Sequence, residues 1–215
     1  MNLTEFAYYY GMGELYRMFS LIIFIDKLKK KFGVKTIAEY PEEEVSRDFP
    51  KLLWKQLSNP HGEYDLVFTW NFRDETLKLI DQLKALSKKY VLLFGINKLN
   101  FGFLIHSFYH WRTKTPCNHP EDIKGKFNNP ESLKKALEEK GVRVIETGFI
   151  DKPPWFDTII GVKSILVGKE EEKPLEERYV KIPNAVGICK RLLSLERILP
   201  GKVFGHHSYA LGVKR

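Results

Sequence analysis

Two segments with the make-up of buried strands, VKTIAEYP at 34 to 41 and EYDLVFTW at 63 to 70, stand only 21 residues apart. Parallel neighbours in a sheet need a crossover of about a dozen residues or more, usually one helix. The interval 42–62 therefore has room for one helix and nothing else. It opens with Glu42 to Glu44, acids that favour a helix N-terminus, and carries Phe49, Leu52, Leu53 and Leu57 at helical intervals, with Pro50 marking where the regular helix begins.

The remaining segments extend the same alternation. Residues 5 to 32 read as an aromatic-rich helix ending in a lysine cluster before Gly33, with Gly11 and Gly13 as points where it can break in two. After EYDLVFTWNF comes DETLKLIDQLKALSKK, a helix with acids first and lysines last, and then the buried-type strand YVLLFGI. These three form a βαβ unit, whose crossover is right-handed. Asn97 to Asn129 is rich in loop signals. PESLKKALEEKG then reads as a helix with Pro at its start and Gly at its stop, VRVIETGFI as a strand, and SYALGVKR as a final strand. Residues 152–205 form an excursion with a helical segment from Ala185 to Leu199.

Composition bounds the class. At 215 residues and 43% hydrophobic, the chain can build one domain with a full core, and its 13% aromatic content is far from a disordered composition. The apolar run Met18 to Ile25 is much shorter than the roughly 20 residues of a membrane span, and Glu5 and Glu14 precede it where an export signal has basic residues. No membrane partner and no export are expected. Two cysteines, Cys117 and Cys189, cannot make a disulfide framework, which fits a reducing, cytoplasmic compartment. Gln occurs only at 56 and 82 among many Lys and Glu, a balance found in thermophiles. The net charge is +8, and between Arg178 and Lys202 six Lys/Arg face one Glu. That run is either a solvated basic face or a contact for nucleic acid, without any accompanying RNA-binding signature.

The segments from Asp65 onward carry a resemblance. DLVFTWNF, a helix, YVLLFGINKLNFGFLIHSFYH, a helix, and VRVIETGFIDKPPWFD together resemble the C-terminal half of class I S-adenosylmethionine-dependent methyltransferases. The likeness is greatest to a group whose fifth strand ends in Asn followed by Asn-x-Gly, with Asp-x-Pro-Pro-Trp downstream. Here these are Asn97, Asn100 and Gly102, then Asp151, Pro153, Pro154 and Trp155. The resemblance covers residues 34–41 and 63–157 and implies an α/β fold. Its open, mostly parallel Rossmann-like methyltransferase sheet would be trimmed to about five strands, ordered 1-4-5-7-6 in the family's numbering, with helices on both faces.

Two departures divide the functional expectation. The family's first strand enters a Gly-rich loop where backbone and cofactor approach closely; here the sequence is Glu39-Tyr40-Pro41-Glu42-Glu43-Glu44, and no glycine lies between Gly33 and Gly62. The second strand, whose terminal acid holds the ribose hydroxyls in the family, has no counterpart in the pattern. One expectation is S-adenosylmethionine as cofactor and methyl transfer to an unknown acceptor. The other is a non-catalytic module that keeps the fold and serves as a protein- or RNA-binding subunit. The new edge, strand one, would need cover from the N-terminal helix or a partner subunit.

Ligands of open α/β sheets lie beyond the carboxyl ends of the strands. The resemblance places Glu39, Tyr40, Trp70 and Asn71 there as cofactor contacts, with Asn97 beside them as a catalytic candidate. Trp70 and Tyr40 can stack on a planar group and Asn97 can orient a ligand; alternatively Trp70 fills core and Asn97 caps a turn. His106 and His110 share a helical face and are candidates for a general base. With Cys117 and His119 they match no established zinc spacing, so no metal is expected. His206 and His207 read as loop residues, and Trp155 as an interface anchor or core side chain.

Overall fold

The computed structural model describes residues 3–41, 55–70, 77–101, 104–105, 108, 111–112, 114, 129–152, 187 and 191–214. The elements are α1 (Leu3–Phe32), β1 (Ile37–Glu39), β2 (Lys55–Gln56), β3 (Tyr64–Thr69), α2 (Leu77–Leu86), β4 (Ser87–Ile96), α3 (Pro130–Glu139), β5 (Val142–Ile150), a 3-10 turn (Ser194–Arg197), α4 (Gly201–Phe204) and β6 (His207–Lys214). The sheet runs β2-β1-β3-β4-β6-β5. The first four strands are mutually parallel, and β6 lies antiparallel between β4 and β5.

The period of two in the strands decides what each face buries. Leu66, Phe68 and Trp70 with Tyr90, Leu92, Phe94, Tyr209 and Leu211 point to one side, where α1 packs through Met18, Leu21, Ile25 and Leu28. These α1 positions are three and four apart, one stripe of a helix. Val67, Val91, Leu93 and Ala210 point to the other side, against Ile80, Leu83 and Leu86 of α2 and Leu133, Ala136 and Leu137 of α3. Strands buried on both faces read as continuous apolar runs, which is why YVLLFGI shows no alternation. Asp65 pins the start of β1 to β3: its Oδ2 accepts from the Lys35 and Thr36 backbone N–H groups at 2.8 and 2.9 Å. Those donors hold its carboxyl below the usual carboxylate range.

The expected five-strand order is present, from β1 through β3, β4 and β6 to β5. The 42–62 interval, however, holds more than a crossover. Ala38 pairs with Lys55 and Glu39 with Gln56 in parallel register, and the Leu57 N–H donates to the Glu39 carbonyl at 3.0 Å. A second strand is thus present, reduced to two residues. It pairs with the outer edge of β1, for which cover from α1 or a partner subunit is the sequence expectation; α1 lies on the sheet face instead. The crossover helix expected within 42–62, with Leu57 in its apolar stripe, does not reach that far, because Lys55 and Gln56 are strand and 57–62 are not helical; residues 42–54 lie outside the described residues.

Other boundaries shift for local reasons. α1 runs unbroken through Gly11 and Gly13, each of which costs a helix about 1 kcal/mol relative to alanine. Lys88 and Lys89, expected at the end of α2, begin β4 instead. α3 has its Asn129 cap, whose Oδ1 accepts from the Ser132 N–H at 2.9 Å, and stops at Gly141 with φ +72°. Within the expected loop after Asn97, residues 101, 104, 105, 108, 111 and 112 are helical.

Candidate functional site

Register brings five chain segments to one rim. β1, β3 and β4 all end there, and because Ile96 pairs with His207 and His207 with Ile150, the start of β6 and the end of β5 reach the same level. The rim therefore gathers Glu39, Tyr40, Trp70, Asn97, Asp151 and His207, all buried. Asn71, His106 and His110 lie outside the described residues, as do Cys117, His119 and Trp155.

The side chains on this rim are closely engaged with one another. The Trp70 ring stacks 4.4 Å from His207 and 4.8 Å from Phe94, centroid to centroid. The Asn97 amide donates to the Lys202 carbonyl at 3.0 Å and the Gly205 carbonyl at 2.7 Å, while its Oδ1 accepts from the Leu99 N–H at 3.1 Å. Both amide N–H groups of Asn97 are thus committed to backbone, and any effect it has on a ligand passes through the α4 loop that it fixes. Asn100 adds a bond from Nδ2 to the Phe204 carbonyl at 2.8 Å.

Beside these lies a buried polar cluster. Asp151 closes β5 in the left-handed region at φ +63°, with its side chain fully buried. Its Oδ2 stands 3.2 Å from His207 Nδ1 and 3.6 Å from Arg17 Nε. Its N–H donates to Ser20 Oγ at 3.1 Å, and Ser20 in turn donates to Glu196 Oε1 at 2.7 Å. Glu196 Oε1 also accepts from Tyr16 Oη and the Lys152 N–H. Burial holds His207 well below its ordinary value, and the Arg17 guanidinium and His206 push the same way, so the imidazole is neutral at physiological pH. A proton on Nδ1 facing the carboxylate is the tautomer this geometry favours.

The sequence reading missed this cluster. His207 is not a loop residue but the first residue of β6, and Asp151 entered only as part of a motif. A usable signal existed: if VRVIETGFI and SYALGVKR pair antiparallel, the residue ending one meets the residue beginning the other. Among the described residues, no group of three or more His, Cys, Asp or Glu side chains is placed to hold a metal ion. A surface cleft of about 220 Å³ lined by Glu138, Gly141, Val142 and Arg143 lies at the opposite end of β5 from the rim.

No family model and no curated protein matches the chain. Solved structures similar to it include a SAM dependent methyltransferase from Archaeoglobus fulgidus, 18% identical over 88% of this chain and 80% of that one, with a TM-score of 0.38. A cyclopropane-fatty-acyl-phospholipid synthase-like protein from Lactobacillus casei is 9% identical over 95% and 91%, with a TM-score of 0.41. A mycolic acid cyclopropane synthase complexed with SAH and CTAB is 13% identical over 88% and 82%, with a TM-score of 0.42. Likeness at this level bears on neither activity nor substrate. It is the strand order that identifies the fold: an open, mostly parallel Rossmann-like sheet of the methyltransferase type, with the strand Lys55–Gln56 on the outer edge of β1.

Proposed function

We propose that the chain binds S-adenosylmethionine over the carboxyl ends of β1, β2 and β3 and transfers its methyl group to an acceptor. The observation that carries this reading is β2. The chain leaves β1 to pair on its outer side and then returns to pair on its inner side as β3, which makes β1/β3 a topological switch point. Open α/β sheets take their ligands at such a point. With five strands alone, the outward turn would be missing and with it the crevice.

The residues fit the cofactor in part. Glu39 stands where the family has its first-strand acid. Ser58 and Asn59, exposed just past β2, offer a hydroxyl and an amide near the end of the strand whose terminal acid holds the ribose hydroxyls in the family. Tyr40 and Trp70 form walls rather than free stacking platforms, since Tyr40 is buried in the α2 layer and Trp70 packs on His207 and Phe94. The bound cofactor would supply an electrophilic methyl group; the chain's contribution is placement, which for such a transfer is most of the catalysis.

Calorimetric titration of the full chain with S-adenosylmethionine and S-adenosylhomocysteine tests the proposal. Micromolar binding, weakened at least tenfold by Glu39→Gln and by the surface change Asn59→Ala, is the expected result. No heat at millimolar ligand, from protein with an intact thermal transition, would remove it. It would leave the second reading, a non-catalytic module of the same fold, which is favoured by the internal engagement of Trp70 and Asn97 and by the glycine-free turn after β1.

A further inference from the structure

At the end of the sheet opposite the rim, where the parallel strands β1, β3 and β4 begin, positive charge collects. Residues 26–36, 63–65 and 87–90 hold seven Lys against three acids. Contacts place these segments on one surface. The Lys31 ammonium lies 5.1 Å from the Phe32 ring centroid, Phe32 lies 5.4 Å from Tyr90, and the Lys89 ammonium lies 5.0 Å from the Tyr90 centroid. The last turn of α1 thereby meets the start of β4. Asp65 of β3 ties in the start of β1, since its Oδ2 accepts from the Lys35 N–H at 2.8 Å. The Thr36 and Lys35 N–H groups, and then the Lys88 ammonium, hold that carboxyl below the usual carboxylate range.

Local structure accounts for part of this charge. Lys29, Lys30 and Lys31 complement the C-terminal end of the α1 dipole. Lys88 and Lys89 lie in β4, and a different device exposes them. Tyr64 pairs with Ser87 and Leu66 with Tyr90, so two β4 residues stand against Asp65 alone. This is a bulge, which re-aims side chains that a regular strand sends to opposite faces. Both lysines are exposed as a result. The neighbouring acids are mostly engaged: Asp26 with Lys30 at 2.7 Å, Glu146 with Lys31 at 2.6 Å, and Asp65 with backbone N–H groups, which leaves Glu63 exposed before β3. Among the described residues, no carboxylate oxygen lies within 4.0 Å of the Lys35, Lys88 or Lys89 ammonium.

We infer that this end of the sheet binds the phosphate backbone of a nucleic-acid duplex. Ammonium groups that no carboxylate neutralises meet phosphates as point charges and release the counterions condensed on them. The rings in the patch are not platforms for unstacked bases, because Tyr90 is buried and the Lys31 and Lys89 ammonium groups lie over Phe32 and Tyr90. That favours backbone contact over the stacking that single strands use. No large apolar side chain is exposed in these three segments, which distinguishes the patch from a lipid-binding face. β1 and β4 flank β3 and stand about 10 Å apart, so Lys35 and Lys88 span about three phosphates of one strand along a duplex axis. The inference is independent of whether the rim binds a cofactor.

Fluorescence anisotropy of the full chain with a labelled RNA duplex, the DNA duplex of the same sequence and the single strand tests it. Both duplexes should bind, and more tightly than the single strand. Engagement of about four phosphates gives a loss of roughly 100-fold in affinity between about 50 and about 200 mM salt. Lys88→Gln with Lys89→Gln should reduce the slope of log affinity against log salt by about 2, with an unchanged thermal transition because both side chains are exposed. Arg191→Gln with Arg197→Gln, exposed in the basic run at 178–202, should leave the slope as it is. No duplex binding at low salt would overturn the inference. So would a slope that moves with the arginine pair and not with the lysine pair, tighter binding of the single strand, or binding to phosphatidylglycerol vesicles by a chain that ignores both duplexes.

Discussion

Replacing Asp151 tests whether the buried cluster holds the rim together. Its carboxylate is fully buried between Arg17 Nε at 3.6 Å and His207 Nδ1 at 3.2 Å, and its backbone sits at φ +63°. Removing one member of a buried ionic pair costs about 3–5 kcal/mol, because the remaining charge keeps its desolvation penalty. The Arg17 side chain is 16% exposed, so water relieves part of that penalty and the lower end, about 3 kcal/mol, applies. Alanine in the left-handed region adds about 1 kcal/mol. Asp151→Ala should therefore cost about 4 kcal/mol, a large share of the 5–15 kcal/mol that keeps a domain folded. Asp151→Asn tolerates the backbone and retains a hydrogen-bond acceptor, for about half that loss. Urea unfolding followed by circular dichroism, with a slope near 3 kcal/mol/M, would place the alanine midpoint about 1.3 M below wild type. The double variant Arg17→Met with Asp151→Ala should lose less than the sum of the two single losses, since the two side chains interact. An alanine variant that loses less than about 1 kcal/mol, or no more than the asparagine variant, would show that the cluster is incidental.

Three further outcomes follow from the same geometry. Asn97→Ala should cost about 2–3 kcal/mol for the lost bonds to the Lys202, Gly205 and Leu99 backbone, and Asn97→Asp more, because a carboxylate would face two carbonyl oxygens; a thermal melt in which the aspartate variant matches wild type would contradict that role. His207 binds no proton when folded near neutrality, so its contribution to stability is fully present above the unfolded value of about 6.5 and falls by about 1.4 kcal/mol per unit as pH drops below it. Between pH 7 and 5.5 wild type should lose on the order of 1 kcal/mol more than His207→Gln, and equal losses would mean the folded imidazole titrates normally. A Cβ at Gly212 would collide with Val142 Cγ1, so Gly212→Ala should cost about 1–3 kcal/mol, with part restored by Val142→Ala; an additive double variant would refute the contact.

Much of the fold was legible because the strands are long and apolar on both faces. The order β1, β3, β4, β6, β5 followed from segment types and one resemblance, and α3 from Asn129, Pro130 and Gly141. What escaped the sequence has physical causes. A ladder of two residues has no periodicity to detect, and Lys55 and Gln56 carry no strand propensity; what holds them is backbone pairing with Ala38 and Glu39 and the burial of Leu57. The lysines at 88 and 89 mimic a helix end because charge in a last turn and charge at a strand's exposed start look alike in one dimension. The rim cluster was hidden for a different reason. Arg17, Ser20, Asp151, Glu196 and His207 come from four distant segments, and only antiparallel pairing of β5 with β6 under α1 makes them neighbours.

The two-residue strand also changes what the missing glycines mean. On sequence alone, the missing Gly-rich loop and the missing second strand together favour the non-catalytic, protein- or RNA-binding module over the methyltransferase. The structure separates them. The edge partner of β1 is present as Lys55–Gln56, which leaves β1 paired on both sides, by β2 and by β3. The glycine-free sequence after β1 is a separate feature, which bears on how closely a backbone can approach a ligand there. A Leu57→Asp substitution distinguishes the two features. It would bury a carboxylate in the α2 layer where Leu57 is 1% exposed, release β2 from the edge, and leave the glycine-free sequence 40–44 unchanged. If cofactor binding depends on the switch point, Leu57→Asp abolishes it while a chain with Pro41→Gly binds at least as well as wild type; if the glycine-free turn is what matters, only the second change moves the affinity.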